Sequence, residues 1–186
     1  MKRILVVVDY QKDFVDGSLG FDKAVVLEDK IKEKIEKYRK NNYEVVFTFD
    51  THGNSYLNTQ EGKNLPVPHC IVNTEGWKLY GKIADLCDEN TKIFKKPTFG
   101  SMKLAKYLEN NRYDSVELIG VVSNICVISN AVLAKAALPE AEIIVDASCT
   151  ASNDEILNEK ALDVMEGMQI NVINRQQIYR ICNTAI

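Results

Sequence analysis

The chain has 186 residues, 46% of them hydrophobic and 26% charged, the proportions of a soluble globular protein long enough to bury a sizeable core. Its formal net charge of −3 argues against a general affinity for nucleic acid or for an anionic membrane surface. The five cysteines, at positions 70, 87, 126, 149 and 182, are odd in number and form no CxxC pair, so no disulfide framework is expected.

The first element is the apolar run 4–8, which follows Met1, Lys2 and Arg3. It is too short for an export signal and meets Asp9 without a small-residue cleavage site. It reads as the buried first strand of a cytoplasmic protein. No stretch approaches the roughly 18 apolar residues of a membrane span. Next, Leu27, Ile31, Ile35 and Tyr38 share one face of a Lys/Glu-rich helix. Short apolar runs recur at 45–49, 93–94, 116–122, 143–145 and 170–173. They are nearly continuous rather than alternating, as strands buried on both faces should be. Between them, Leu104 and Leu108 follow Ser101, a helix N-cap. Residues 125–137 read as an Ala-rich helix that stops before Pro139, and 156–165 as another, opened by Ser152-Asn153-Asp154.

Alternating strands and helices predict an α/β protein, a three-layer α/β/α fold around a mostly parallel six-stranded sheet, Rossmann-like in plan. With no repeat, linker or low-complexity tract, residues 1–186 read as a single domain. One interval breaks the rhythm. Residues 51–76 have little periodicity and much Asn, Gly, Pro and Thr. A loop this long inside a compact domain points to function, and it holds both histidines, His52 and His69.

Ligands of open parallel sheets bind beyond the carboxyl ends of the strands. Here those ends carry Asp9, Asp50, the pair Lys95-Lys96, and a turn leading through Ser123-Asn124 to Cys126. A thiol at a helix start is acidified by backbone N–H groups, and a nearby lysine would lower its pKa further. An aspartate beside it can take the proton and return it to a leaving amine. The same residue types also suit an inert buried helix cysteine, with the lysines as solvated surface charges. The residues alone leave both readings open.

Asp50-x-His52 followed by His69 forms a second constellation. Two imidazoles and a carboxylate suit a divalent transition metal, with Glu61 as a further ligand, direct or through water. The alternative is that the histidines only hydrogen-bond within their loop.

Five blocks in order resemble one known family, the isochorismatase-like cysteine hydrolases, which include nicotinamidases. They are Val8-Asp9-Tyr10-Gln11-Lys12-Asp13-Phe14, Asp50-Thr51-His52, Leu65-Pro66-Val67-Pro68-His69-Cys70 with Thr74-Glu75-Gly76, Lys96-Pro97-Thr98-Phe99-Gly100-Ser101, and Gly120-Val121-Val122-Ser123-Asn124-Ile125-Cys126-Val127. The resemblance runs from the first strand to about Ile173. It implies an isochorismatase-like fold and hydrolysis of a small amide, with nicotinamide cleaved to nicotinate and ammonia in NAD salvage. Asp9 would be the general base and acid. Lys96, set at the family's distance from Phe99, would stabilise the thiolate, with Lys95 the lesser candidate. Cys126 would be the nucleophile that forms a thioester. The peptide joining Val121 and Val122 matches the position of the family's cis bond, which would aim the Val122 N–H, with that of Cys126, into an oxyanion hole. Asp50, His52 and His69 would hold a divalent metal, zinc first, with iron or manganese as alternatives. Phe14 would contact the substrate ring.

Two positions depart from the pattern. Pro66 stands where nicotinamidases commonly place an aromatic, and Ser123-Asn124-Ile125 stands where many members have T-D-x. The readings carried forward are a nicotinamidase-like amidase, a related hydrolase of a carbamoyl or ureido compound, and a catalytically silent binding protein. The resemblance also implies assembly of copies into a homo-oligomer, to which the segment after Ile173 is a candidate contributor. Cys70 next to His69 reads as a packing residue rather than a ligand.

Overall fold

The computed structural model describes residues 1–175. They form six strands, β1 (Arg3–Val8), β2 (Glu44–Asp50), β3 (Lys92–Lys96), β4 (Ser115–Val121), β5 (Glu142–Ala151) and β6 (Asn171–Ile173). These join in one sheet of order β3-β2-β1-β4-β5-β6, and every pairing is parallel. The helices are α1 (Lys12–Val15), α2 (Asp22–Val25), α3 (Glu28–Lys40), α4 (Gln60–Asn64), α5 (Gly81–Asp85), α6 (Met102–Asn111), α7 (Ile128–Ala137) and α8 (Glu155–Gly167). Cys182 and most of the segment after Ile173 lie outside the described residues.

The layers follow from strand periodicity. On β1, Ile4, Val6 and Val8 enter a core shared with Leu104 and Leu108 of α6, Ala131 of α7 and Leu162 of α8. Leu5 and Val7 face the opposite core, with Ile31 and Ile35 of α3 and Phe47 of β2. The result is the expected three-layer arrangement. Val6 and Leu118 have no exposed surface, and full burial of such side chains contributes ~1.5–3 kcal/mol each. No helix among the described residues is long and apolar enough to cross a membrane.

The strand order reverses between β1 and β4, which opens a crevice at their carboxyl ends. Gly120 pairs with Val8 at this point, with φ at +109°. A Cβ there would sit 2.1 Å from the Val8 carbonyl oxygen, so glycine is what lets β4 lie against β1 at the rim.

Three expectations are corrected. β5 is much longer than 143–145, because its polar residue Asp146 is held by Lys34 Nζ at 2.7 Å, which also reaches Glu117 on β4 at 2.6 Å. Its register against β4 shifts between Leu118 and Gly120. The helix expected from 125 begins instead as a π-helical turn, Ser123–Val127, with α7 starting at Ile128. The bond from Val127 N to Val122 O, 3.1 Å, spans five residues and sets that wider turn. The 51–76 interval contains a short 3-10 turn, Tyr56–Asn58, and α4, capped by Thr59 Oγ1 accepting from Gly62 N.

Candidate active site

Asp9 follows β1 with φ at +45°, a region few non-glycine residues occupy. The turn buries its carboxylate completely. Oδ1 accepts a hydrogen bond from Thr48 Oγ1 at 2.7 Å, and Oδ2 lies 2.6 Å from Lys96 Nζ. Lys96 ends β3 on the same side as Phe94, the buried face of that strand. Lys95 points the other way and sets its ammonium 4.8 Å from the Trp77 ring centre. Cys126 Sγ sits 3.6 Å from Lys96 Nζ. The fold therefore brings Asp9, Lys96 and Cys126 together from three chain segments.

Burial sets the protonation chemistry. It pushes the Cys126 thiol well above its ordinary range, with Lys96 pulling the other way. Burial likewise raises Asp9, against the attraction of Lys96 and with Asp50 adding repulsion. Burial also penalises the Lys96 ammonium, yet Asp9, Cys126 and Asp50 raise its pKa and keep it charged. One ammonium cannot balance a thiolate and two carboxylates in a dry site. Burial thus disfavours the charged form of both Asp9 and Cys126, while the Lys96 ammonium favours it at both.

The second cluster lies alongside. One ligand atom each from Asp50, His52, Glu61 and His69 falls within 4.8 Å of every other. Asp50 Oδ2 is 2.9 Å from His52 Nε2 and 3.4 Å from His69 Nε2. Glu61 Oε1 is 3.6 Å from both imidazole nitrogens. Metal–ligand bonds of ~2.1 Å in a tetrahedron place donor atoms about 3.4 Å apart, so the set fits a divalent ion. His69 Nδ1 is held by the Val67 carbonyl at 2.8 Å, which turns Nε2 toward Asp50 and Glu61. Burial opposes the Asp50 charge, but the hydrogen bonds from His52 and His69, with Lys96, hold its carboxyl far below the usual range. Burial raises Glu61. Cys70 is packed in the core and is not among these ligand atoms.

Several supporting residues escaped the sequence reading of roles. Gln11 brackets the end of β2: its Nε2 donates to the Asp50 carbonyl at 3.0 Å and its Oε1 accepts from Asp50 N at 2.8 Å. Asp13 Oδ2 accepts from Cys70 N at 2.7 Å, pinning the residue after His69, where φ is +46°. The Tyr56 ring packs against both imidazoles, 4.7 Å from His52 and 4.9 Å from His69. The signal for the first two was their spacing: Asp9, Gln11 and Asp13 alternate directly after a strand.

A cavity of about 390 Å3 joins the two clusters, within the size range of small-molecule sites. Cys126, Val122, Asp50, Glu61 and His69 reach it. Its apolar wall comes from Phe14, Leu19, Phe21, Leu65, Phe99 and Ile125. Phe14 packs 5.4 Å from the His69 ring. The exposed Pro66 does not line it; its neighbour Leu65 does. The Val121–Val122 peptide is cis. A larger cavity, about 450 Å3, lies between α2, β5 and α8 and contains none of these groups.

A parallel sheet whose switch point holds this constellation has known counterparts. The isochorismatase domain model matches residues 3–177, and the chain belongs to the isochorismatase family of hydrolases. It is 25% identical to the nicotinamidase of Saccharomyces cerevisiae, over 93% of this chain and 100% of that protein. The crystal structure of a nicotinamidase from Bacillus subtilis superposes with a TM-score of 0.83 at 27% identity, covering 92% of this chain and 99% of that one. A pyrazinamidase of Pyrococcus horikoshii in complex with zinc gives 0.81 at 25% identity, covering 93% and 99%.

Proposed function

We propose that this chain is a single-domain cytoplasmic amidase that hydrolyses nicotinamide to nicotinate and ammonia, serving NAD salvage, through a thioester on Cys126. The observation that carries the reading is the contact set of Lys96 Nζ, 2.6 Å from Asp9 and 3.6 Å from Cys126 Sγ, at a pocket that also reaches Asp50, Glu61 and His69. Cys126 passes its proton to Asp9 as Sγ attacks the amide carbonyl. The Lys96 ammonium stabilises the thiolate, and the N–H groups of Val122 and Cys126 receive the oxyanion. Asp9 returns the proton to the leaving ammonia. It then takes a proton from water, whose oxygen attacks the thioester, releases the carboxylate and restores the thiol.

Asp50, His52, His69 and Glu61 would hold a divalent metal, zinc before iron or manganese. A bound ion supplies a Lewis-acid contact to a ring nitrogen of the substrate. Phe14 and Phe99 offer the ring apolar contacts. A second reading, hydrolysis of another small amide such as a carbamoyl or ureido compound, is favoured by one feature: Leu65 lines the pocket in a stretch that lacks the aromatic of nicotinamidases.

Ammonia release from nicotinamide and from a panel of small amides, with and without chelator, tests this. Release from nicotinamide that chelator abolishes is the expected result. Release from another amide alone supports the second reading. No release, with no thiol-specific labelling of Cys126, overturns both and leaves a binding protein.

A further inference from the structure

Asn130 is 1% exposed on α7, among small apolar residues where an amide is costly unless satisfied. Its Nδ2 donates to the Cys126 carbonyl at 2.8 Å and to the Phe99 carbonyl at 3.1 Å. Its Oδ1 accepts from Ser101 N at 3.0 Å. Two carbonyls and one N–H fit only one orientation of the amide, so the assignment of its atoms is fixed by its partners.

These partners belong to two different parts of the site. Cys126 sits in the π-helical turn Ser123–Val127. Phe99 and Ser101 belong to the loop 97–101, which leaves Lys96 and enters α6, where Ser101 Oγ also caps the helix by accepting from Leu104 N at 3.1 Å. Phe99 lines the pocket. The separation of Cys126 Sγ from Lys96 Nζ depends on how these two segments sit against each other. Among the described residues, the side-chain hydrogen bonds that tie loop 97–101 to α7 run through Asn130.

Resting on the cysteine-hydrolase reading, we infer that Asn130 is a positioning residue that clamps the Cys126 turn to the Lys96–Phe99 segment and so fixes the nucleophile against its ammonium. The neighbouring bond from Ser123 Oγ to Asn158 Oδ1, 2.6 Å, anchors the same turn to α8 without touching loop 97–101. It serves as the control.

The test compares wild type with Asn130→Ala, Asn130→Ser and Asn158→Ala in the full-length protein. The readouts are the rate of iodoacetamide alkylation of Cys126, followed by peptide mass spectrometry at neutral pH, and the division of any amide turnover between kcat and KM. A serine hydroxyl can still bond back to the Cys126 carbonyl one turn away, but it is too short to bridge to the loop. Both Asn130 variants should alkylate and turn over about tenfold more slowly, the scale of a sub-ångström misplacement. KM should change less than about threefold, since the lost interaction acts in the transition state. Asn158→Ala should stay within about twofold of wild type in alkylation, since its bond does not reach the reacting groups. Wild-type alkylation rates in folded Asn130→Ala and Asn130→Ser would overturn the inference. Should neither variant fold, hydrogen exchange on wild type decides: the Ser101 amide must be strongly protected, and rapid exchange there overturns the clamp. Alkylation needs no substrate, so a protein that hydrolyses no amide refutes the proposed function and leaves this test intact.

Discussion

The Asp50 carboxylate divides its two oxygens between two clusters: Oδ1 lies 3.1 Å from Lys96 Nζ, while Oδ2 faces His52 and His69. The lysine that adjoins the thiol and the histidines that suit a metal therefore share one anion. Asp50→Asn keeps the shape and removes the charge. It should weaken zinc binding by more than the roughly 10- to 100-fold typical of outer-shell changes, since a direct ligand loses its charge, and slow ammonia release as well. Equilibrium dialysis with elemental analysis reads the first and an ammonia assay the second. Zinc affinity equal to wild type would contradict the shared role.

Lys96→Met tests the same contact from the other side. It strands Asp9, fully buried, without its counter-charge. Removing one partner of a buried pair typically costs about 3–5 kcal/mol. Urea unfolding should register a loss of that order, and turnover should fall. Adding Asp9→Asn to Lys96→Met should recover part of the stability but none of the activity. A Lys96→Met protein as stable as wild type would argue that Asp9 is already neutral.

Away from the site, acid stability should depend on Asp146. Burial alone would raise its carboxyl, but Lys34, with Ser148 and Asn174, holds it below the usual range. Burial opposes the Lys34 charge in turn, while Asp146 and Glu117 push its pKa up to about 12. In the unfolded chain an aspartate titrates near 3.9, so around that pH the unfolded state binds more protons than the folded one. The contribution of Asp146 is therefore present above about pH 4 and lost as pH falls through the depressed folded value. Urea midpoints measured from neutral pH down into the acid range should drop more steeply for wild type than for Asp146→Asn. Parallel curves would show that the ion cluster does not hold Asp146 ionised.

The parts legible in sequence were those fixed by local pattern. β1 is a continuous apolar run and β4 nearly so, because both faces are buried, and their alternation with helices announced a parallel sheet. The preference for Lys96 over Lys95 came from the family motif's spacing to Phe99, and the structure sets Lys96 beside Phe94 on the buried face of β3. What sequence could not supply were pairings across long separations. The polar second half of β5 is a strand because Lys34, far back in the chain, neutralises Asp146 and Glu117. Gln11 meets Asp50 across 39 positions and Asp13 meets Cys70 across 57, so their alternation after β1 marked them without naming their partners. The π-helical turn carrying Cys126 was read as ordinary helix because its composition is that of α7.

The central claim is that Cys126 carries the acyl group. Wild-type protein mixed with nicotinamide, quenched in acid during turnover and digested, can be read by peptide mass spectrometry alongside folded Cys126→Ala. The account predicts a nicotinoyl thioester on the Cys126 peptide of the wild type, and neither adduct nor ammonia release from Cys126→Ala. Turnover by Cys126→Ala at the wild-type rate would contradict it.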